Sequence, residues 1–209
     1  MKNKLLIIAA GAQIALEKVN SIINDSDIII AINGGSEICH RMSINPDYIL
    51  GDLDSVTAVL QNKFPEAKII RSTDQNTSDM QKALEFANTL NPEKIRIINA
   101  FGLRSDHAVS NLLVFDSYPQ PETLEIYDNY GIWRILTPGS HDFHFPALRT
   151  VSLFSFHRVS GLTLKGFKFP LKDKDFPDRF IGLSNETVEE DICISFRLGK
   201  IFIYELSDK

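Results

Sequence analysis

At 209 residues the chain can hold one large domain or two small ones. Its 44% hydrophobic and 23% charged residues are ordinary for a soluble globular protein. A net charge of −5, with no lysine- or arginine-rich run, excludes general nucleic-acid binding through a basic face, and no apolar run reaches membrane-spanning length. Lys2 and Lys4 ahead of an apolar run imitate a short signal peptide. Residues 5–9 also form a continuous apolar run of buried-strand type, and removing them would take a strand out of the core. The strand is the reading carried forward. A glycine turn and a helix from about Ala12 follow, with Ile14, Ala15, Val19, Ile22 and Ile23 at helical spacing.

Residues 27–31 give a second buried strand, ended by Asn33-Gly34-Gly35; residues 48–50 give a third and residues 67–70 a fourth. A helix opens at Ser78, which with Gln81 three residues later fits a capping box; Met80, Ala83, Leu84 and Ala87 make its apolar face. Residues 94–99 form the next strand, and Ser105 or Asp106 caps a further helix with Ala108, Val109, Leu112 and Leu113 facing inward. This alternation predicts an α/β, Rossmann-like half: a mostly parallel sheet covered by helices on both faces.

The pattern changes after Pro119 and Pro121. Residues 124–127 and 132–136 read as strands, Thr137-Pro138-Gly139-Ser140 as a break, and residues 143–145, 151–156, 162–169, 192–198 and 201–206 as further strands. That is the pattern of a small all-β sandwich. The boundary is placed at Thr137, giving an α/β catalytic domain over 1–136 and a β-sandwich over 137–209, with the segment 119–121 as the alternative. Cys39 and Cys193 have no partners at metal-ligand spacing and read as reduced thiols of a cytoplasmic protein.

Polar clusters fall at strand ends or helix starts of the α/β part, where open parallel sheets bind ligands. Asn33-Gly34-Gly35, lacking side chains at its glycines, lets a nucleotide approach the backbone, and an ordinary strand-ending turn has the same sequence. In Gly51-Asp52-Leu53-Asp54-Ser55, residues two apart point the same way, so Asp52 and Asp54 converge. Two such carboxylates repel unless a cation lies between them, and Mg²⁺ suits the pair; a solvated acidic turn has the same sequence. In Asp74-Gln75-Asn76-Thr77-Ser78-Asp79, Asp79 sits in the first turn of a helix, where a carboxylate also complements the helix dipole. In Gly102-Leu103-Arg104-Ser105-Asp106-His107, followed by Asn111, the planar fork of Arg104 can clamp phosphate. Asp106 can bind metal or accept a proton from an attacking hydroxyl, and His107 reads as a structural histidine.

In order and spacing these clusters resemble the thiamine pyrophosphokinase family, whose pattern runs GDxDS, then DQxxTD opening a helix, then a glycine-rich RxDHxxxN. The resemblance continues through Gly161-Leu162-Thr163-Leu164-Lys165-Gly166-Phe167-Lys168-Phe169-Pro170-Leu171 to Ser184-Asn185-Glu186, which looks like the family's Ser-Asn signature. It covers nearly the whole chain. The chain departs at Asn33 and Asn76, where the family has Asp, at Ser78, where it has Thr, and at Leu103, where it often has a second glycine.

The resemblance implies transfer of a pyrophosphoryl group from ATP to the hydroxyl of thiamine, releasing AMP. It implies Mg²⁺ on Asp52, Asp54 and Asp79, Arg104 on the transferred group, and Asp106 orienting the thiamine hydroxyl. Asn33, Gly34, Gly35, Gln75 and Ser78 would surround the nucleotide, and Ser184 and Asn185 would give thiamine its polar contacts. Phe169 and Trp133 offer stacking surfaces, with core packing the stronger reading for each. The family also implies a homodimer with the site between subunits. Other readings fit less of the chain. A haloacid-dehalogenase-type phosphatase would use Asp52 as nucleophile, but the small hydroxyl–glycine sequel is missing. A non-catalytic binder has no need of the carboxylates, and a pyrophosphokinase for another hydroxylated heterocycle is raised by Asn33 and Leu103.

Overall fold

The computed structural model describes residues 2–51, 62–71 and 76–207. The chain divides into two units, Met1–Asn129 and Tyr130–Lys209.

In the first unit, strands β1 (Asn3–Ile8), β2 (Ile28–Ile32), β3 (Tyr48–Gly51), β4 (Lys68–Arg71), β5 (Pro92–Ile98) and β6 (Leu124–Tyr127) pair in parallel in the order β6-β5-β1-β2-β3-β4. Leu5, Leu6, Ile7 and Ile8 are all 0% exposed, so β1 is covered on both faces. That is the demand a parallel sheet makes, and the reason its strands are written as unbroken apolar runs. Each such side chain contributes roughly 1.5–3 kcal/mol on burial. Helices α1 (Leu16–Asn24) and α2 (Gly35–Arg41) pack Val19, Ile22, Ile38 and Cys39 into the same cluster as Leu6 and Ile8. Helix α3 (Asp79–Thr89) buries the expected Met80, Ala83, Leu84 and Ala87.

Three local expectations are corrected. Helix α1 begins at Leu16, and Ile14, though buried, lies ahead of it because its N–H is taken by the Asn99 side chain. The capping box at α3 is half formed: Ser78 Oγ accepts from Gln81 N–H, while the Gln81 side chain turns outward to Glu85. In α4 (Ser105–Ser117), Val109 and Leu113 are more than half exposed and the buried residues are Phe115 and Asp116; neither Ser105 nor Asp106 is its N-cap, which is Arg104. No helix among the described residues is long and apolar enough to cross a membrane.

In the second unit every strand pairing is antiparallel. Strands β7 (Gly131–Leu136), β9 (Thr150–Ser155), β12 (Phe180–Glu186) and β14 (Ile201–Leu206) pair in the order β12-β9-β14-β7. Strands β8 (Gly139–His144), β10 (Val159–Lys165), β11 (Leu171–Phe176) and β13 (Asp191–Phe196) pair in the order β11-β10-β13-β8. Leu136, Val151, Leu153, Ile201 and Ile203 of the first sheet meet Leu162, Leu164, Ile192, Ile194 and Phe196 of the second in one core cluster. The unit so divided begins at Tyr130 and includes β7, which pairs along its length with β14. The strand expected over 162–169 stops at Lys165, where Gly166 takes a left-handed φ of +79°.

Candidate functional site

Going outward from β1 in the parallel sheet, β2 lies on one side and β5 on the other. The connections leave in opposite directions at that point, which opens a crevice at the carboxyl ends of the two central strands. A cleft of about 660 Å³ lies there in the first unit. Its walls come from the loop after β1 (Ala9, Ala10, Gly11), the end of β2 (Ile32, Asn33), the start of α3 (Thr77 to Met80) and the loop after β5 leading into α4.

Close packing shapes this floor. Gly11 N–H donates to Asn99 O at 2.7 Å and Ala12 N–H to Phe101 O at 2.7 Å, so the β1 loop is stitched to the β5 loop. A Cβ on Gly11 would stand 2.3 Å from Asn99 O. Asn99 has a left-handed φ of +57° and is 2% exposed, and its Oδ1 accepts from Ile14 N–H at 2.9 Å. Asn111 Nδ2 donates to Ala100 O at 2.8 Å and ties the same loop to α4. The sequence reading missed Asn99. A signal was present, since an Asn closing a strand is the side chain that best tolerates a left-handed turn.

Of the residues expected around the nucleotide, Asn33 and Ser78 line the cleft, as does Asp79. Asn33 Nδ2 donates to Asp79 Oδ2 at 2.5 Å, and Lys82 Nζ lies 3.8 Å from Asp79 Oδ1. Gly34 and Gly35 are not among the lining residues. Gly35 serves packing instead: a Cβ there would stand 2.1 Å from Ile8 O, so α2 lies directly against β1. Asp52, Asp54 and Gln75 lie outside the described residues. Among the described residues, no three acidic, histidine or cysteine side chains converge as a metal site.

Across the cleft, Arg104 and Asp106 form a two-pronged pair, Nε to Oδ1 at 3.1 Å and NH2 to Oδ2 at 2.5 Å. Both side chains are more than 60% exposed. The Arg104 guanidinium pulls the Asp106 carboxyl down to about 2, and Asp106 raises Arg104 in turn. A carboxylate so weakly basic is a poor acceptor for a hydroxyl proton. His107, read from sequence as structural, is exposed and lines the cleft.

The second unit holds the Ser-Asn pair. Asn185 is 6% exposed and its side chain is spent: Oδ1 accepts from Phe169 N–H at 3.0 Å and Glu186 N–H at 2.9 Å, while Nδ2 donates to Phe169 O at 3.0 Å. Ser184 is exposed, with a left-handed φ of +51°, and its N–H donates to Ser152 Oγ at 3.0 Å. The expectation that Phe169 packs in the core is overturned: it is 64% exposed, held outward by the Asn185 bonds to its backbone. Trp133 does pack, its ring 4.4 Å from Tyr204 and 5.7 Å from Phe154. Cys39 is buried and its thiol is pushed up to about 12 by that burial, so it is inert as a nucleophile or ligand.

Comparison with known proteins gives one consistent result. The family model described as thiamin pyrophosphokinase, catalytic domain, matches residues 19–128, more than half of the chain, and that described as thiamin pyrophosphokinase, vitamin B1 binding domain, matches residues 140–201. A thiamine pyrophosphokinase of Bacillus subtilis is 23% identical over 97% of this chain and 98% of its own length. Thiamine pyrophosphokinase 2 of Arabidopsis thaliana is 31% identical over 74% of this chain and 63% of its own. The crystal structure of thiamin pyrophosphokinase from Geobacillus thermodenitrificans superposes with a TM-score of 0.83 at 23% identity, covering 99% of this chain and 98% of that one. That of Candida albicans gives 0.81 at 18%, covering 99% and 90%. At these identities the two structures speak for the fold alone.

Proposed function

The chain belongs to the thiamin pyrophosphokinase family, and we propose on that premise that its cleft moves a pyrophosphoryl group from ATP to the hydroxyl of thiamine, leaving AMP. The observation that carries this assignment to particular atoms is the convergence of Asn33, Asp79, Arg104 and Asp106 at the carboxyl ends of β1, β2 and β5. The Rossmann-like half binds the nucleotide there. The thiamine hydroxyl attacks the β-phosphorus as the bond to the α-phosphate oxygen breaks, a reaction that asks for positioning and charge neutralisation rather than covalent help.

Asp79 fits a divalent cation: it is a hard oxygen donor, its side chain is 46% exposed, and it lines the cleft. Asp52 and Asp54, which directly follow β3, complete the donor set in this reading. Bound Mg²⁺ there supplies charge neutralisation of the phosphate oxygens. Arg104 turns part of its planar fork from Asp106 to the transferred group. Asp106, held well below the usual carboxylate range, orients the thiamine hydroxyl by accepting its hydrogen bond, and the hydroxyl proton passes to a phosphate oxygen of the departing AMP or to solvent as the new P–O bond forms.

The β-sandwich supplies the thiamine contacts. Phe169 offers an exposed aromatic face to a cationic thiazolium or flat pyrimidine, and the Ser184 hydroxyl a hydrogen bond. Asn185 acts one step back, by fixing Phe169. The active site lies between two copies in a homodimer, and exposed Leu103, Val109 and Leu113 beside the cleft give that contact an apolar surface. Free Cys39 and Cys193 accord with a cytoplasmic enzyme.

The test is product analysis with thiamine, ATP and Mg²⁺ beside an Asp54→Ala control. Thiamine diphosphate and AMP, lost in the control, are expected. ADP with thiamine monophosphate would overturn the pyrophosphoryl step, and no product from thiamine would return the substrate to other hydroxylated heterocycles.

A further inference from the structure

Asn33 is better built than a pocket wall requires. Its backbone is held from both ends: its N–H donates to Leu50 O at 2.8 Å, and its carbonyl accepts from Ser36 N–H at 3.1 Å and from the fully buried Ser36 hydroxyl at 2.8 Å. Its φ of +47° is left-handed, a conformation Asn adopts at less cost than most side chains. From that fixed frame the amide reaches 46 residues along the sequence to Asp79 Oδ2 at 2.5 Å. The N–H bond to Leu50 O also places Asn33 beside the end of β3.

We propose that Asn33 is a positioning residue for divalent-cation binding: its amide holds Asp79 Oδ2, and Oδ1, which Lys82 Nζ meets at 3.8 Å, becomes the ligating oxygen as that lysine gives way. This rests on the reading of Asp79 as a metal ligand. The long Lys82 side chain at 3.8 Å restrains Asp79 only loosely, whereas the hydrogen bond from a rigid donor selects one rotamer. Partners that hydrogen-bond a ligating carboxylate change metal affinity by roughly 10- to 100-fold. The choice of amide over carboxylate matters equally. An amide donates to Asp79 without adding charge, whereas a carboxylate at the same place would oppose Asp79 and favour any cation that relieved the repulsion.

Two substitutions at one position therefore move cation binding in opposite directions. Asn33→Gly keeps the left-handed backbone and removes the amide; Asn33→Asp keeps the shape and reverses the electrostatics. The measurement is Mn²⁺ binding to the full chain without nucleotide, followed by loss of the free-ion EPR signal, with melting temperatures recorded beside it. Asn33→Gly is expected to bind Mn²⁺ about tenfold more weakly than wild type, and Asn33→Asp more tightly. Asp79→Asn is the control for the underlying reading. If Asp79→Asn binds as wild type does, Asp79 is no ligand and the role of Asn33 falls with it. If Asp79→Asn loses binding while Asn33→Gly keeps it, the positioning role alone is overturned. A fall in both Asn33 variants makes the residue a structural part of the turn and overturns the proposal as well.

Discussion

The two units spend their polar side chains in different ways. In Met1–Asn129 the charged groups Asp79, Arg104 and Asp106 stand at strand ends or helix starts and keep 46–69% of their side-chain surface exposed. In Tyr130–Lys209 the side chain that looked most like a ligand contact, Asn185, is buried and satisfied by three backbone partners. Topology explains the difference. A parallel sheet buries its strands on both faces, so polar chemistry is pushed to the strand ends and gathers there. An antiparallel sheet joined by short turns has backbone groups to satisfy at each irregularity, and the register shift between Gly182 and Asn185 is one of them.

The largest effect that would break this contrast is at Arg104. Arg104→Ala is expected to lower kcat by about 10²–10³-fold, the cost of losing one electrostatic stabiliser of a transition state. Unfolding should hardly change, because the pair with Asp106 is exposed and such pairs contribute little. Steady-state kinetics beside a denaturant melt checks both. A loss of stability with activity retained would make the pair structural and the two units alike. Asn185→Ala should behave the other way round, destabilising the protein by about 2–3 kcal/mol through its lost bonds to Phe169 and Glu186. If thiamine affinity falls instead with stability unchanged, Asn185 touches the substrate and the scaffold reading is wrong.

The contrast also decides what could be read in advance. Strands β6 and β14 fall where residues 124–127 and 201–206 were expected, and the buried face of α3 came from its 3.6-residue period. Helix α2 was missed because seven residues starting in glycine carry little periodicity. Strand β11 was missed because LKDKDF shows charge on both faces, as an edge strand exposed to water can. The site divides in the same way. The strand-end rule placed Asn33, Asp79, Arg104 and Asp106 on one crevice, but it could not show that Asn33 reaches Asp79 or that Asn185 reaches Phe169. Those bonds join residues 46 and 16 apart, and only the folded backbone sets such distances.

The smallest effect separates two exposed pairs of similar length. Asp106 beside Arg104 is lowered to about 2, so that pair stays charged across the whole working pH range. His144 Nδ1 lies 2.9 Å from Asp191 Oδ1, and the carboxylate raises His144 above its ordinary 6.5. A group raised on folding stabilises fully below its unfolded value and loses that contribution as pH rises through the folded one. The second unit's pair is therefore complete in acid below His144's ordinary value and is lost as pH rises through the raised one, whereas the first unit's pair stays charged. NMR titration of the imidazole should find a midpoint above 6.5 that falls in Asp191→Asn, Asp191 being the largest cause of the shift. Because both side chains are more than 70% exposed, the melting temperature should scarcely follow. A midpoint unmoved by the substitution would mean the pair does not persist in solution, and that proximity alone, without the two-pronged geometry of Arg104 and Asp106, does not hold such a pair together.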